Sequence, residues 1–221
     1  MSKRIKSPGS VLDHSTTYRL SLRTFPHLLR KRAILKQVRH IKATTYADFG
    51  CSNGYITNAV ARAIGAQTVH AYDHETRHFD KGKANYAEID FRQIDLNQSS
   101  KLGPYDLVTC FETLEHVGNL KNAVETVRRA GQTVIISVPI EIGFVGIIKF
   151  LAKVIIFRYQ TLGGFWPYFK TLLTNGDIGR FRDERTGWGT HFGFDYRELD
   201  RLIGPCRKFN SGTSRFYILE S

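Results

Sequence analysis

The sequence predicts an α/β fold, a three-layer sandwich around a seven-stranded, mostly parallel sheet with an antiparallel closing strand. Three observations predict it. Short apolar runs alternate with helical stretches between residues 44 and 140, the pattern of successive βαβ units. A glycine-rich turn separates the first strand of that series from its first helix, as in sheets that hold a ligand at their edge. Two last strand-like runs meet at Gly212 and read as an antiparallel hairpin.

The elements follow in order. TTYADFG is a strand ending in a turn, and GYITNAVARAIG is a helix closed by Gly65. QTVHAYD is a second strand, ETRHFDKGKANYA a helix, and EIDFRQID a third strand. YDLVTCF is a fourth strand, NLKNAVETVRRAG a helix ended by Gly131, and QTVIISV a fifth strand. After Pro139 the alternation breaks for about fifty residues, the length of an insertion rather than an ordinary loop. It resumes at FDYRELDRLIG, where Asp195 and Glu198 have capping-box spacing. CRKFNSG and TSRFYILES are the closing strands.

Composition bounds the class of protein. The chain has 221 residues, 42% hydrophobic and 24% charged, which is globular and suits one domain. Three cysteines, Cys51, Cys110 and Cys206, lie far apart with no CxxC pair. That spacing excludes a disulfide framework and a cysteine-rich zinc site, and it points to a reducing compartment. No apolar run reaches the roughly 18 residues of a spanning helix. The start, MSKRIKSPGS, is basic but is not followed by the apolar stretch of a signal peptide. A cytoplasmic location, peripheral at the membrane at most, is the expectation.

The charge is uneven. Lys and Arg number 32 against 20 Asp and Glu, a net +12, and residues 1–43 alone carry eleven basic residues against Asp13. That segment is +10, while the remainder is close to neutral. It is read as a basic helical cap over 1–43, with the main domain over 44–221 and an insertion at about 140–190. Within the cap, PHLLRKRAILKQVRHIK forms an amphipathic helix. Pro26 suits its first position. Ile34, Val38 and Ile41 share one face, and Arg32, Lys36 and Arg39 share another. Such an arm fits nucleic acid, anionic lipid or an anionic substrate, and it equally fits a docked helix with a solvated basic face.

The turn Asp48-Phe49-Gly50-Cys51-Ser52-Asn53-Gly54 is the most informative segment. Gly50 and Gly54 let the backbone turn sharply and approach a ligand closely. The helix that follows offers free N–H groups. Asp73 ends the second strand, where a carboxylate can accept two ribose hydroxyls. Asp95 follows the third strand, within reach of an adenine amino group. Together these acids outline a nucleotide-like ligand lying along successive strand ends.

At this point the sequence resembles the class I S-adenosylmethionine-dependent methyltransferases, small-molecule branch. DFGCSNG is similar to their first motif, with Ser52 in place of the middle glycine. AYDHE resembles the second motif, QIDLN the third, and YDLVTCFETLEHV the fourth. SVP at 137–139 matches the end of the fifth strand. The resemblance covers residues 44–140 well and 191–221 loosely. It implies a Rossmann-like fold, S-adenosylmethionine as cofactor and a methyltransferase activity. It also implies residue roles. Asp48 would lie near the amino group of the cofactor's methionine part. Gly50, Ser52 and Gly54 would pass beneath the cofactor. Asp73 would hold the ribose, Asp95 and Leu96 would flank the adenine, and Phe111 and Glu112 would border the methionine end. A dinucleotide dehydrogenase fits less well, because the turn reads Gly-x-Ser-x-Gly rather than Gly-x-Gly-x-x-Gly.

For such a reaction the protein must align a nucleophile and exclude water. A hydroxyl acceptor also benefits from a general base. His116 and His191 are the candidates, since imidazole titrates near neutrality; each also has a structural reading as a capping or packing residue. Glu112 and Glu115 stay open as alternatives. No metal cluster is expected, because the adjacent side chains of Asp73-His74-Glu75 diverge at a strand end.

Substrate choice is expected in the insertion. Residues 144–157 are apolar except Lys149 and Lys153, which as i, i+4 neighbours would project from one side. Phe165, Trp166, Tyr168 and Phe169 follow, then Arg180, Arg182 and Arg185. The segment reads either as a lid or dimer-packing helix over the pocket, or as an interfacial membrane segment. The expected acceptor is a small or lipid-linked molecule methylated at oxygen. Expected partners include an anionic membrane surface through 1–43 and 144–170 and a second copy as homodimer. Two rivals remain. One is an RNA methyltransferase using the basic arm, although no Asn/Asp-Pro-Pro-Tyr/Phe motif follows the fourth strand. The other is a cofactor-binding module without catalysis.

Overall fold

Four of the five residues of the first strand, β1 (Thr45–Phe49), are buried, as a strand covered on both faces requires. It lies inside the sheet, paired on both of its edges. The computed structural model describes residues 25–98, 100–157, 164–182 and 193–220. Its further elements are α1 (Phe25–Val38), α2 (Tyr55–Ile64), β2 (Thr68–Asp73), α3 (Phe79–Asn85), β3 (Ile89–Gln93), β4 (Tyr105–Phe111), α4 (Leu120–Ala130), β5 (Gly131–Pro139), α5 (Gly143–Phe157), α6 (Phe165–Leu173), α7 (Tyr196–Ile203), β6 (Arg207–Ser211) and β7 (Ser214–Glu220).

The spatial strand order is β3-β2-β1-β4-β5-β7-β6. The first five are parallel to one another. β7 runs antiparallel between β5 and β6. The chain's direction of winding reverses between β1 and β4, which opens a crevice beyond their C-terminal ends.

Alternation along the strands divides the core in two. Val108, Ile136 and Tyr217 pack with Val124 and Val127 of α4 and Leu199 of α7. Their neighbours Leu107, Ile135 and Phe216 pack on the other face with Val60 and Ile64 of α2 and Ile34 and Val38 of α1. The period of two in the strands and about 3.6 in the helices thus produces both layers. A third, smaller core joins α5 to α6 through Phe150, Tyr168 and Leu172, closed by Ile142, Ile178 and Phe181.

Two local details differ from expectation. The stretch expected as one helix over 75–87 is a 3₁₀ turn, Thr76–His78, followed by the seven-residue α3. Gly82 lies in α3, where a Cβ would stand 2.5 Å from Phe91 Cζ, so close packing on β3 explains a glycine in a helix. Gly131 does not cap α4 in a left-handed turn but is extended and begins β5. At α7, Asp195 is the N-cap and accepts from Arg197 N at 2.9 Å. The Arg197 guanidinium also pairs with Asp195.

Candidate cofactor and acceptor site

The glycine turn sits where β1 leaves the sheet. Gly50 N donates to Tyr72 O at 2.7 Å and Cys51 N to the same oxygen at 3.1 Å, tying the turn to β2. Gly50 and Gly54 have φ of +85° and +75° and Ser52 has +49°. A Cβ on Gly50 would fall 1.8 Å from Thr113 Oγ1, so this glycine is required by the loop after β4. Gly54 is the N-cap of α2 and offers no side-chain cap. Ser52 reaches the left-handed region despite its side chain, so its departure from glycine leaves the turn's path intact.

Asp48 lies beneath this turn and is buried. Parallel pairing sets it beside Thr109 of β4, whose hydroxyl donates to Oδ1 at 2.7 Å, while Thr57 of α2 donates to Oδ2 at 2.5 Å. Burial pushes its carboxyl up to about 6, against the opposing effect of the two hydroxyls. Thr57 and Thr109 were not expected in the site. Thr57 is three residues beyond Gly54, a spacing that could have suggested it, but Thr109 becomes a neighbour only through strand pairing.

Asp73 ends β2. Its Oδ2 accepts Ser52 N–H at 2.8 Å, its Oδ1 accepts Glu75 N–H at 3.0 Å, and His74 Nδ1 stands 3.3 Å away. Burial alone would raise its carboxyl, but these hydrogen bonds outweigh burial and hold it below the usual carboxylate range. It is therefore ionised near neutrality. Each carboxylate oxygen has two lone-pair positions, so Oδ2, which accepts only Ser52 N–H, keeps acceptor capacity for a ribose hydroxyl. An ionised carboxylate beside a tight glycine turn and a helix N-terminus is the donor and acceptor set that the nucleoside part of S-adenosylmethionine requires.

Asp95 organises the turn after β3, accepting from Asn97 N at 2.9 Å. Leu96 beside it is buried in the core. Asn97 Oδ1 in turn accepts Gly118 N at 2.8 Å and Asn119 N at 2.9 Å. This links the third strand's end to the loop that carries His116. From the opposite side, Arg182 donates to Val117 O at 2.5 Å and to Glu115 O at 3.2 Å. The His116 loop is thus held at both flanks, by Asn97 and by Arg182, neither of which the sequence tied to this loop.

Phe111 is half-buried, and Glu112 follows it with a left-handed φ of +51°. Glu112 meets Arg30 of α1 at 3.0 Å and accepts from Ser137 Oγ at 3.3 Å. Glu115 is buried, and its carboxyl is pushed well up by burial and then by the charge of Glu112. His116 Nε2 stands 3.9 Å from Glu115 Oε1, with its side chain partly exposed. His191 lies outside the described residues.

The insertion contributes one more charge. Lys149 contacts the buried Glu141 carboxylate and donates to Ile140 O at 3.3 Å, a partnership that its spacing from Lys153 did not reveal. The physical reason is that Glu141, at the end of β5, is buried and needs a cation. Among the described residues no group of three or more His, Cys, Asp or Glu could hold a metal ion. The three cysteines are free, and burial pushes the Cys51 and Cys110 thiols upward, away from reactivity.

Comparison with known proteins agrees with this geometry. A family model described as "Methyltransferase domain" matches residues 47–132. "Putative methyltransferase 235L" of Invertebrate iridescent virus 6 is 28% identical over 91 residues, which is 41% of this chain. The chain covers only 34% of that relative's length. Among solved structures, the methyltransferase domain of bacterial CtHen1-CN superposes with TM-score 0.57 at 14% identity, covering 89% of this chain and all of that one. A chain from Rhodobacter sphaeroides, named "Putative Zn-dependent Alcohol Dehydrogenases", gives 0.56 at 16% identity, covering 93% and 92%. At such identities these two structures show the shared fold alone. The matched segment, however, contains the glycine turn, Asp73, Asp95, Glu112 and His116. Over residues 47–132, the stretch that carries the glycine turn and the strand-end acids, the chain is thus similar to the methyltransferase-domain family.

Proposed function

We propose that this protein methylates a hydroxyl oxygen of a small or lipid-linked acceptor, bound at the C-terminal edge of the sheet between α1 and the α5–α6 hairpin. The observation that carries the reading is the common edge shared by the glycine turn, Asp73, Asp95 and the Glu112–His116 loop. S-adenosylmethionine supplies an activated methyl group on sulfur. The acceptor oxygen would form the new C–O bond as the C–S bond breaks, leaving S-adenosylhomocysteine. Asp73 would accept a ribose hydroxyl, and the turn from Gly50 to Gly54 would hold the cofactor against α2. His116 would take the hydroxyl proton, with Glu115 orienting the imidazole. Arg30 and Lys149 would close the edge against water.

Calorimetry with S-adenosylhomocysteine tests the cofactor assignment, and absence of binding by the intact protein would overturn it. Transfer of labelled methyl to a panel of phenolic and alcoholic acceptors tests the rest. His116→Ala should lower kcat by about a hundred-fold or more while leaving cofactor affinity unchanged. An unchanged kcat would remove His116 as base. The +10 of residues 1–43 favours a second reading, methylation of RNA. Tight, salt-sensitive RNA binding together with methyl incorporation into RNA would establish that reading in place of the first.

A further inference from the structure

Seven large hydrophobic side chains are exposed among the described residues, and five of them fall between residues 144 and 173: Phe144 (77% exposed), Ile148 (53%), Ile155 (73%), Trp166 (72%) and Leu173 (60%). They are not scattered. At 100° per residue, Phe144, Ile148 and Ile155 lie within about 40° of one another on α5. Trp166 and Leu173 are seven residues apart on α6, again on one side. The opposite side of α5 is already satisfied, because Phe150 packs against Phe165 and Tyr168 with ring centroids 5.2 and 4.9 Å apart. The one lysine of α5 whose side chain is described turns away to Glu141. The exposed stripe is therefore surplus to the hairpin's own core.

We propose that this stripe is a membrane-docking surface, seated in the headgroup and acyl boundary of an anionic bilayer. Three further observations select that occupant. The segment 143–173 contains no Asp or Glu and four basic residues, Lys149, Lys153, Arg158 and Lys170. A second copy of this chain would bring the same positive charge against it, whereas anionic headgroups complement it. The +10 of residues 1–43 adds attraction of the same sign. Finally, α5 has fifteen residues, about 22 Å of helix against a hydrocarbon core of about 30 Å. No helix among the described residues is long and apolar enough to cross a membrane. A short helix with a narrow apolar stripe lies along an interface rather than through it.

The position gives docking a consequence. α5 begins four residues after β5 ends, and Lys149 fastens it to Glu141 and Ile140 at that edge. A bilayer touching the stripe would thus lie close to the edge where the acceptor is proposed to bind. The lipid-linked choice of acceptor rests on the methyl-transfer reading, but docking itself does not.

Flotation of the full chain with vesicles tests it. Binding is expected to phosphatidylcholine vesicles containing phosphatidylglycerol, weakening steeply with added salt, and to be much poorer to phosphatidylcholine alone. The triple variant Phe144→Ser, Ile148→Ser, Ile155→Ser removes apolar area without adding charge, and it should reduce vesicle binding by about ten-fold or more. Its melting temperature and its affinity for S-adenosylhomocysteine should match the original protein. Trp166→Ser with Leu173→Ser, on the other helix, should act in the same direction. Unchanged flotation of both variants, or no flotation of the original protein, overturns the proposal. Equal binding to neutral vesicles overturns the anionic choice. A dimer in sedimentation that the triple variant dissociates, without vesicle binding, would reassign the stripe to a second copy. Failure to bind S-adenosylhomocysteine would instead strike the cofactor assignment and leave docking standing.

Discussion

Arg30 Nη2 stands 3.0 Å from Glu112 Oε2, joining the basic N-terminal helix to the residue that follows the fourth strand. The same helix buries Ile34 and Val38 against the sheet, and its Lys31 donates to Tyr55 OH at 2.7 Å at the start of α2. α1 is therefore a cap over the candidate site, held by apolar burial below and by two polar contacts at its rim.

Arg30→Met should leave the largely buried Glu112 carboxylate without its cation. The expected cost is about 1–3 kcal/mol, seen as a lowering of the melting temperature by about 2–4 °C for each kcal/mol. Arg30→Lys should recover part of the loss. An unchanged melting temperature for Arg30→Met would show that the pair contributes nothing to docking of the cap.

Asp73→Ala removes the carboxylate at the end of β2 and also frees Ser52 N–H and Glu75 N–H. Affinity for S-adenosylhomocysteine should fall about ten- to hundred-fold, equivalent to about 1.5–3 kcal/mol. Asp73→Asn keeps one acceptor oxygen and should lie between. Calorimetry on folded variants reads both, and an unaltered dissociation constant would remove Asp73 from the ribose site.

Asp48 gives a pH dependence of definite sign. Its folded-state carboxyl is raised to about 6, so between its ordinary value and that point the folded protein binds more protons than the unfolded chain. Stability due to this group therefore falls as pH rises from about 4 through about 6 and is level above. The ceiling is about 3 kcal/mol for a shift of about two units. Asp48→Asn should lose this group's share of the pH dependence over that window. The difference in denaturant stability between Asp48→Asn and the original protein should grow from pH 4 to pH 6, and a flat difference would contradict the assignment.

Lys149→Met should leave Glu141 buried without its cation, at a cost of about 2–4 kcal/mol. Adding Glu141→Gln should restore part of that stability, because the unpaired charge is then gone. If Lys149 were instead a solvated surface lysine, both single and double variants would melt with the original protein.

The order of elements, the glycine turn and the strand-end acids were all legible in the sequence, because the signals are local. Burial period, helix caps and left-handed glycines act within a few residues, and they located β1, α2, β2, β4 and the closing hairpin. The apolar helix after Pro139 was legible for the same reason. What the sequence could not state was partnership. β7 lies between β5 and β6, and Thr109 lies beside Asp48, only because strands pair across the chain. Helical spacing set Lys149 and Lys153 on one side of the helix, but it could not show that Lys149 meets Glu141, a buried carboxylate that needs a counter-charge. Arg30 reaches Glu112, and Asn97 holds the His116 loop, through contacts between distant parts of the chain. The sequence by itself determined which segments become strands and helices and which acids stand at strand ends. Only the tertiary structure decided which charges meet and which apolar face stays uncovered, since desolvation and pairing energies depend on neighbours that the chain brings together by folding.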